Sequence, residues 1–116
     1  NRKAPDSLKV AAVVGRIDVI VSQKQYDKAI SDLEKTFFTG STTQGLDYGE
    51  SRARATYLMG VCYKGLTGKG NLEKAEIWLL KAAVLYRHHK DIYVKSCNGL
   101  VDVYKQLGRA ERATEW

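Results

Sequence analysis

Proline occurs once, at Pro5, ahead of the first helical pattern, so the strongest helix breaker is missing from everything that follows. Cysteine occurs twice, at Cys62 and Cys97, and neither stands in a Cys-x-x-Cys or Cys/His spacing, which excludes the familiar zinc-binding arrangements. Both read as small apolar residues within helices, the alternative being a disulfide between adjacent helices. No apolar run approaches the ~18 to 20 residues that a membrane-spanning helix requires. No cationic start followed by a long hydrophobic stretch marks a signal peptide. No like-charged run reaches five or six residues, although 19 basic against 13 acidic side chains leave a formal charge of +6. Basic residues scattered singly read as a solvated helical surface. The surplus nevertheless suits acidic peptides, nucleic acid or anionic membranes.

Catalytic groups are equally scarce. Histidine is confined to His88-His89, so no Ser/His/Asp or Cys/His arrangement can be assembled. Adjacent helical residues point about 100° apart, which argues against a metal pair and for a solvated helix C-terminus. Gly68-Lys69 imitates part of a phosphate loop, but Gly70 stands where Ser or Thr is needed and Tyr63 where the first glycine belongs. The expectation is a non-enzyme with no cofactor and no metal.

What is present is helical periodicity. With 44% hydrophobic and 28% charged residues in 116, the chain can bury one core, which sets aside wholesale disorder and predicts a single domain over 1–116. Asp6 or Ser7 is placed to cap a first helix running to Gln23, with Leu8, Ala11, Ala12, Val14, Ile17, Ile20 and Val21 at helical spacing. A second helix spans Tyr26 to Phe38, with Ala29, Ile30, Leu33 and Phe37 inward and Gly40 as its stop. Residues Gly40 to Gly49 form a loop. A third helix covers Glu50 to Lys64, with Ala55, Leu58, Met59 and Cys62 inward. After a turn at Leu66–Gly70, Asn71 is placed to cap a fourth helix, Leu72 to His88, packing through Ala75, Trp78, Leu79, Ala82 and Ala83. Asp91 is placed to cap a fifth, Ile92 to Leu107; Gly108 punctuates, and Arg109 to Trp116 begins a sixth. The start at Asn1, with no Met, and the end at Trp116 inside a helical phrase read as a fragment of a longer chain.

The helices come in echoing pairs, with hairpins at about 7–39, 50–89 and 91–116. Ala29, Ala75 and Ala113 hold equivalent places just after each turn. Tyr63 stands twelve residues before Ala75, whereas Ile20 and Tyr104 stand nine before Ala29 and Ala113, so the second turn reads as three residues longer. Recurrence of this kind is the signature of a helical solenoid.

Met59, Gly60, Tyr63, Ala75, Leu79 and Ala82 of the second hairpin resemble the tetratricopeptide repeat. Leu100, Tyr104, Gly108 and Ala113 repeat the likeness in the third hairpin, and Tyr26, Asp27, Lys28 and Ala29 in the first. The second hairpin is also similar to the Sel1 repeat through Gly60, Tyr63, Gly65, Gly68, Ala75, Trp78, Lys81, Ala82 and Ala83. Departures are Ile17 and Val101 at the small position and Ile20 at the aromatic one. The resemblance implies an all-α, right-handed α-solenoid of about three repeats whose first helices line a concave groove. Its groove positions fall on Val14, Asp18 and Val21, then Arg54, Tyr57, Val61 and Lys64, then Lys95, Asn98, Asp102 and Lys105. The family's carboxylate clamp for heat-shock chaperones would need Lys and Asn at Val14 and Asp18, so that variant does not fit.

The expected function is a protein-interaction scaffold. Its groove would take an acidic or amphipathic segment of a partner protein, with Tyr57 and the valines as apolar anchors. A second likeness runs from Asn98 to Ala113, which resembles one pentatricopeptide repeat and implies single-stranded RNA as the alternative partner. Self-assembly through an open C-terminal end near Trp116, giving a homo-oligomer, is a third alternative. Free cysteines point to a cytoplasmic setting.

Overall fold

A computed structural model describes residues 3–38 and 49–108, and every regular element in them is helical. Five α-helices are present among the described residues: α1, Lys3–Ser22; α2, Tyr26–Leu33, continued by a π-helical stretch at Glu34–Phe38; α3, Gly49–Leu66; α4, Lys69–Leu85; and α5, Lys90–Gln106. Gly40, most of the expected Gly40–Gly49 loop and the expected helix from Arg109, with Ala113 and the open end at Trp116, lie outside the described residues.

Helix α1 starts earlier than Asp6 or Ser7 would dictate and takes Pro5 into its first turn. Proline is tolerated there because the first amides of a helix have no intrahelical acceptor. Between α1 and α2 the chain reverses through Lys24, whose φ is +64°. The next turn is shorter than expected. Thr67 and Gly68, with φ of +59° and +84°, complete the reversal alone, and α4 begins at Lys69. The extra residues of the second hairpin are thus wound into α4 as an added turn of helix. Asn71 consequently lies inside α4, where its amide nitrogen donates to the Thr67 carbonyl at 2.9 Å, and it is not a cap. Asp91 likewise sits in the first turn of α5, with His89 as the uncapped N-cap residue. Helix α4 stops at Leu85, so His88 and His89 lie beyond its C-terminus, in the connection that leads into α5. Gly108, with φ of +77°, closes α5 as expected of a glycine after a helix.

Each helix packs on the next in sequence, and α3 also touches α1 and α5. The helices α1, α3 and α5 therefore form one layer, while α2 packs on both α1 and α3, and α4 on both α3 and α5. Apolar stripes meet in three clusters. Val14 and Ile17 of α1 join Ala29, Ile30, Leu33 and Phe37 and the Ala55, Leu58, Met59 and Cys62 stripe of α3. Leu72, Ala75 and Leu79 of α4 pack on Leu100, Val103 and Tyr104 of α5. Ala53, Ala82 and Ile92 form the third.

Small residues set the α3–α4–α5 spacing. Leu79 of α4 lies between two glycines: a β-carbon on Gly60 would come within 2.6 Å of Leu79 Cγ, and one on Gly99 within 3.0 Å of its Cδ1. Close backbone approach of this kind is what small residues at helix crossings permit. The ring of Tyr26 fills the space beside Gly65 in the same way. Ala29 and Ala75 are fully buried, as their matched positions require.

Candidate peptide-binding face

The layer of α1, α3 and α5 presents one face on which most of the expected groove residues meet. Arg54 Nη2 of α3 donates to Asp18 Oδ2 of α1 at 2.7 Å. One helical end away, Lys64 Nζ of α3 donates to Asp102 Oδ2 of α5 at 3.1 Å. The two pairs clip the three helices together, one at each end of α3's segment. Tyr57 lies between them. Its hydroxyl is pushed above the ordinary tyrosine range, first by burial and then by the nearby carboxylates Asp18 and Asp102. Both carboxylates can act on it only because the layer brings α1 and α5 to opposite flanks of α3.

Tyr57 also has a packing role. It is half-buried and packs against all three core clusters, so it ties the layer to the hydrophobic interior. The expectation of a purely ligand-facing aromatic understates it. Val14 departs further from expectation: it is 1% exposed and belongs to the core, so it cannot line a groove. Four residues advance a helix about 40° past a full turn. That rotation carries Asp18 off the buried Val14–Ile17 stripe and onto its edge. Val21 is half-buried and packs against the first cluster, contributing a partly covered apolar rim. Val61 is half-buried on α3, and Lys95, Asn98 and Lys105 are exposed on α5.

The expected cation-rich groove is therefore partly neutralised from within. Arg54 and Lys64, expected to meet a partner's acidic groups, are already met by the chain's own Asp18 and Asp102. The pairs are open to water, with Arg54 and Asp18 at 44% and 47% side-chain exposure, so each is weak and exchangeable. The sequence carried a hint of this, since opposite charges stand at groove positions on successive first helices, about one turn apart for Lys64 and Asp102 and about two for Asp18 and Arg54. One feature had no such hint: a recess lined by Arg54, His89, Lys90, Asp91, Ile92 and Lys95, where the α4–α5 connection meets α3.

Other aromatic and thiol groups are structural. Lys74 lies over the Tyr63 ring at 5.5 Å and Lys81 over Trp78 at 4.4 Å, covering half-buried rings on the α4 side. Burial pushes the Cys62 thiol up to about 12, which keeps it protonated and unreactive. Cys62 and Cys97 are both free, Cys97 being only half-buried. The rings of His88 and His89 lie 4.3 Å apart, and no group of three or more His, Cys, Asp or Glu among the described residues could hold a metal ion. No helix among the described residues is long and apolar enough to cross a membrane. Comparison of the chain with protein-family models, with curated proteins and with solved structures finds no match in any of the three.

Proposed function

We propose that the chain is a tetratricopeptide-like interaction module that binds a segment of a partner protein across the α1–α3–α5 face. The observation that carries this reading is the convergence of Asp18, Arg54, Tyr57, Lys64 and Asp102 from three separate helices onto one surface. A half-buried aromatic flanked by exchangeable ion pairs offers an apolar anchor with polar groups on both sides, the usual make-up of a peptide-recognition groove. Exposed Lys95, Asn98 and Lys105 extend the face along α5 and favour acidic groups and backbone amides on the partner.

Panning a displayed library of random 15-residue peptides (length set by about one peptide residue per ~3.3 Å of groove) tests the reading. Binders with an apolar residue flanked by acidic ones are expected. Their affinity should fall at least tenfold in Lys105→Glu and in Val61→Asp, with helicity unchanged. Failure to enrich any binder sensitive to these two changes would refute the proposal. The RNA alternative makes a different prediction: affinity for single-stranded RNA falling steeply with salt.

A further inference from the structure

We propose that the outer crest of α4 docks on an anionic membrane surface. Three of the six large apolar side chains left exposed among the described residues stand on this helix: Ile77 at 52%, Val84 at 62% and Leu85 at 62%. Lys74, Ile77, Lys81 and Val84 follow one another at intervals of three, four and three residues, so they form a single stripe, with Leu85 beside it. The stripe points away from the core, since Ala75, Leu79, Ala82 and Ala83 of the same helix are buried where α4 packs on α3 and α5. The crest thus lies on the far side of α4 from the α1–α3–α5 layer, and docking there is independent of the peptide-binding reading.

Charge decides what the crest fits. Lys74 and Lys81 are exposed on it, and Arg87 and Lys90 are exposed just past its end. Between Lys74 and Leu85 the only carboxylate is Glu76, one turn before Leu80 and on the same side, which turns toward the α5 cluster. Glu34 of the π-helical stretch acts on Tyr63, the ring that Lys74 covers, and so offsets part of the Lys74 charge. As a seam for a partner helix the stripe is poor, because lysine takes every second position and pairing would bury it. Against a lipid headgroup layer the same alternation works. The aliphatic side chains enter the interface, while the lysine stems lie along it and carry their ammonium groups to the anionic oxygens. Each lysine near such a surface strengthens binding about fivefold.

The test is flotation of the chain with vesicles of mixed phosphatidylcholine and phosphatidylserine, and with vesicles of phosphatidylcholine alone. Binding to the mixed vesicles is expected, weakening as salt rises, with little binding to the neutral ones. Lys74→Gln combined with Lys81→Gln should weaken it about 25-fold, fivefold for each lysine. Val84→Ser combined with Leu85→Ser should weaken it at least tenfold. All four positions are exposed, so helicity by circular dichroism should stay unchanged in both variants. Lys95→Gln combined with Lys105→Gln removes the same charge from the other layer and should change vesicle binding by less than about threefold. No binding to mixed vesicles at low salt overturns the inference. Equal losses from the α4 and α5 lysine pairs, or indifference to the serine pair, also overturn it, because they mean adsorption by net charge alone. Two further outcomes replace the membrane with another occupant. A mass that doubles with concentration, and reverts in the serine variant, assigns the crest to a second copy. Binding of a Glu/Leu amphipathic helical peptide that both α4 variants lose, without vesicle binding, assigns it to a protein. Library peptides selected on the α1–α3–α5 face should bind the α4 variants unchanged, so failure of either reading leaves the other standing.

Discussion

Replacing Gly60 by alanine should destabilise the protein even though alanine is the better helix former. The new methyl group would stand 2.6 Å from both Cγ and Cδ2 of Leu79, and 3.3 Å from the Leu79 backbone nitrogen. Comfortable carbon–carbon separations are about 3.5–4.0 Å, so Leu79 must retreat by about 1 Å. That retreat is hindered because Leu79 is fully buried and its far side packs on the backbone of α5 at Gly99. Overpacking of this kind costs about 1–3 kcal/mol. The gain from replacing a helical glycine is about 1 kcal/mol, which leaves a net loss of about 0–2 kcal/mol. Gly15, in α1, has nothing within 4 Å of the same methyl position, so Gly15→Ala should keep the whole propensity gain. The two variants should differ by about 1–3 kcal/mol, or roughly 5–15 °C in Tm for a domain of this size. Thermal unfolding followed by circular dichroism measures both, and Leu79→Ala supplies the control. Truncating Leu79 costs about 2–5 kcal/mol by itself, but it should abolish the penalty of Gly60→Ala by removing the atoms the methyl strikes. A Gly60→Ala protein as stabilised as Gly15→Ala would refute the described α3–α4 packing.

Three further outcomes follow from the core and its edge. Cys62 is protonated in both folded and unfolded chains below pH 9, but between pH 9 and about 12 only the unfolded chain ionises. Stability should therefore fall as pH rises through that window, by up to about 1.4 kcal/mol per unit, and urea unfolding of Cys62→Ala at pH 8 and 10 should lack that part of the slope. Ser96 is fully buried and its hydroxyl has no hydrogen-bond partner; Ser96→Ala should raise stability by about 1 kcal/mol, and a loss in urea unfolding would mean that the hydroxyl is satisfied. Tyr57→Ala should cost about 2–3 kcal/mol, because a half-buried ring that touches three clusters is lost, whereas Tyr57→Phe should stay within about 1 kcal/mol. Equal unfolding midpoints for the two variants would show that Tyr57 does not join the clusters.

The helices were legible because their signals are local. Period and punctuation placed α2, α3 and α5 within a few residues, and Ala29, Ala75 and Leu79 were all assigned inward and are all fully buried. What failed were the decisions between near-equal local alternatives. Asn71 reads as a cap because capping chemistry is common in asparagine, yet two left-handed residues at Thr67 and Gly68 finish the turn earlier. Helix length then absorbed what looked like a longer turn. Val14 was misplaced because a groove position and a core position on one helix differ by a rotation of about 40°, which apolar periodicity alone does not separate.

The ion pairs show why a binding face is harder to read than a fold. Each of Asp18, Arg54, Lys64 and Asp102 was picked out singly, by position along its own helix, and the two cations were assigned to an absent partner. Their actual partners are one another, across α1–α3 and α3–α5. That changes the ligand chemistry the proposed reading requires, because an acidic segment would have to displace Asp18 or Asp102 before reaching Arg54 or Lys64. Exposed pairs contribute about 0–1 kcal/mol each, so the exchange is nearly neutral in energy but strict in geometry. A single carboxylate arriving from solution gains little by it. A ligand that presents two negative charges together, or several along one segment, replaces both the pair and the water around it. On the proposed peptide-binding reading, the self-paired face would therefore select for density of charge, a requirement that the exposed lysines of α5 alone would not impose.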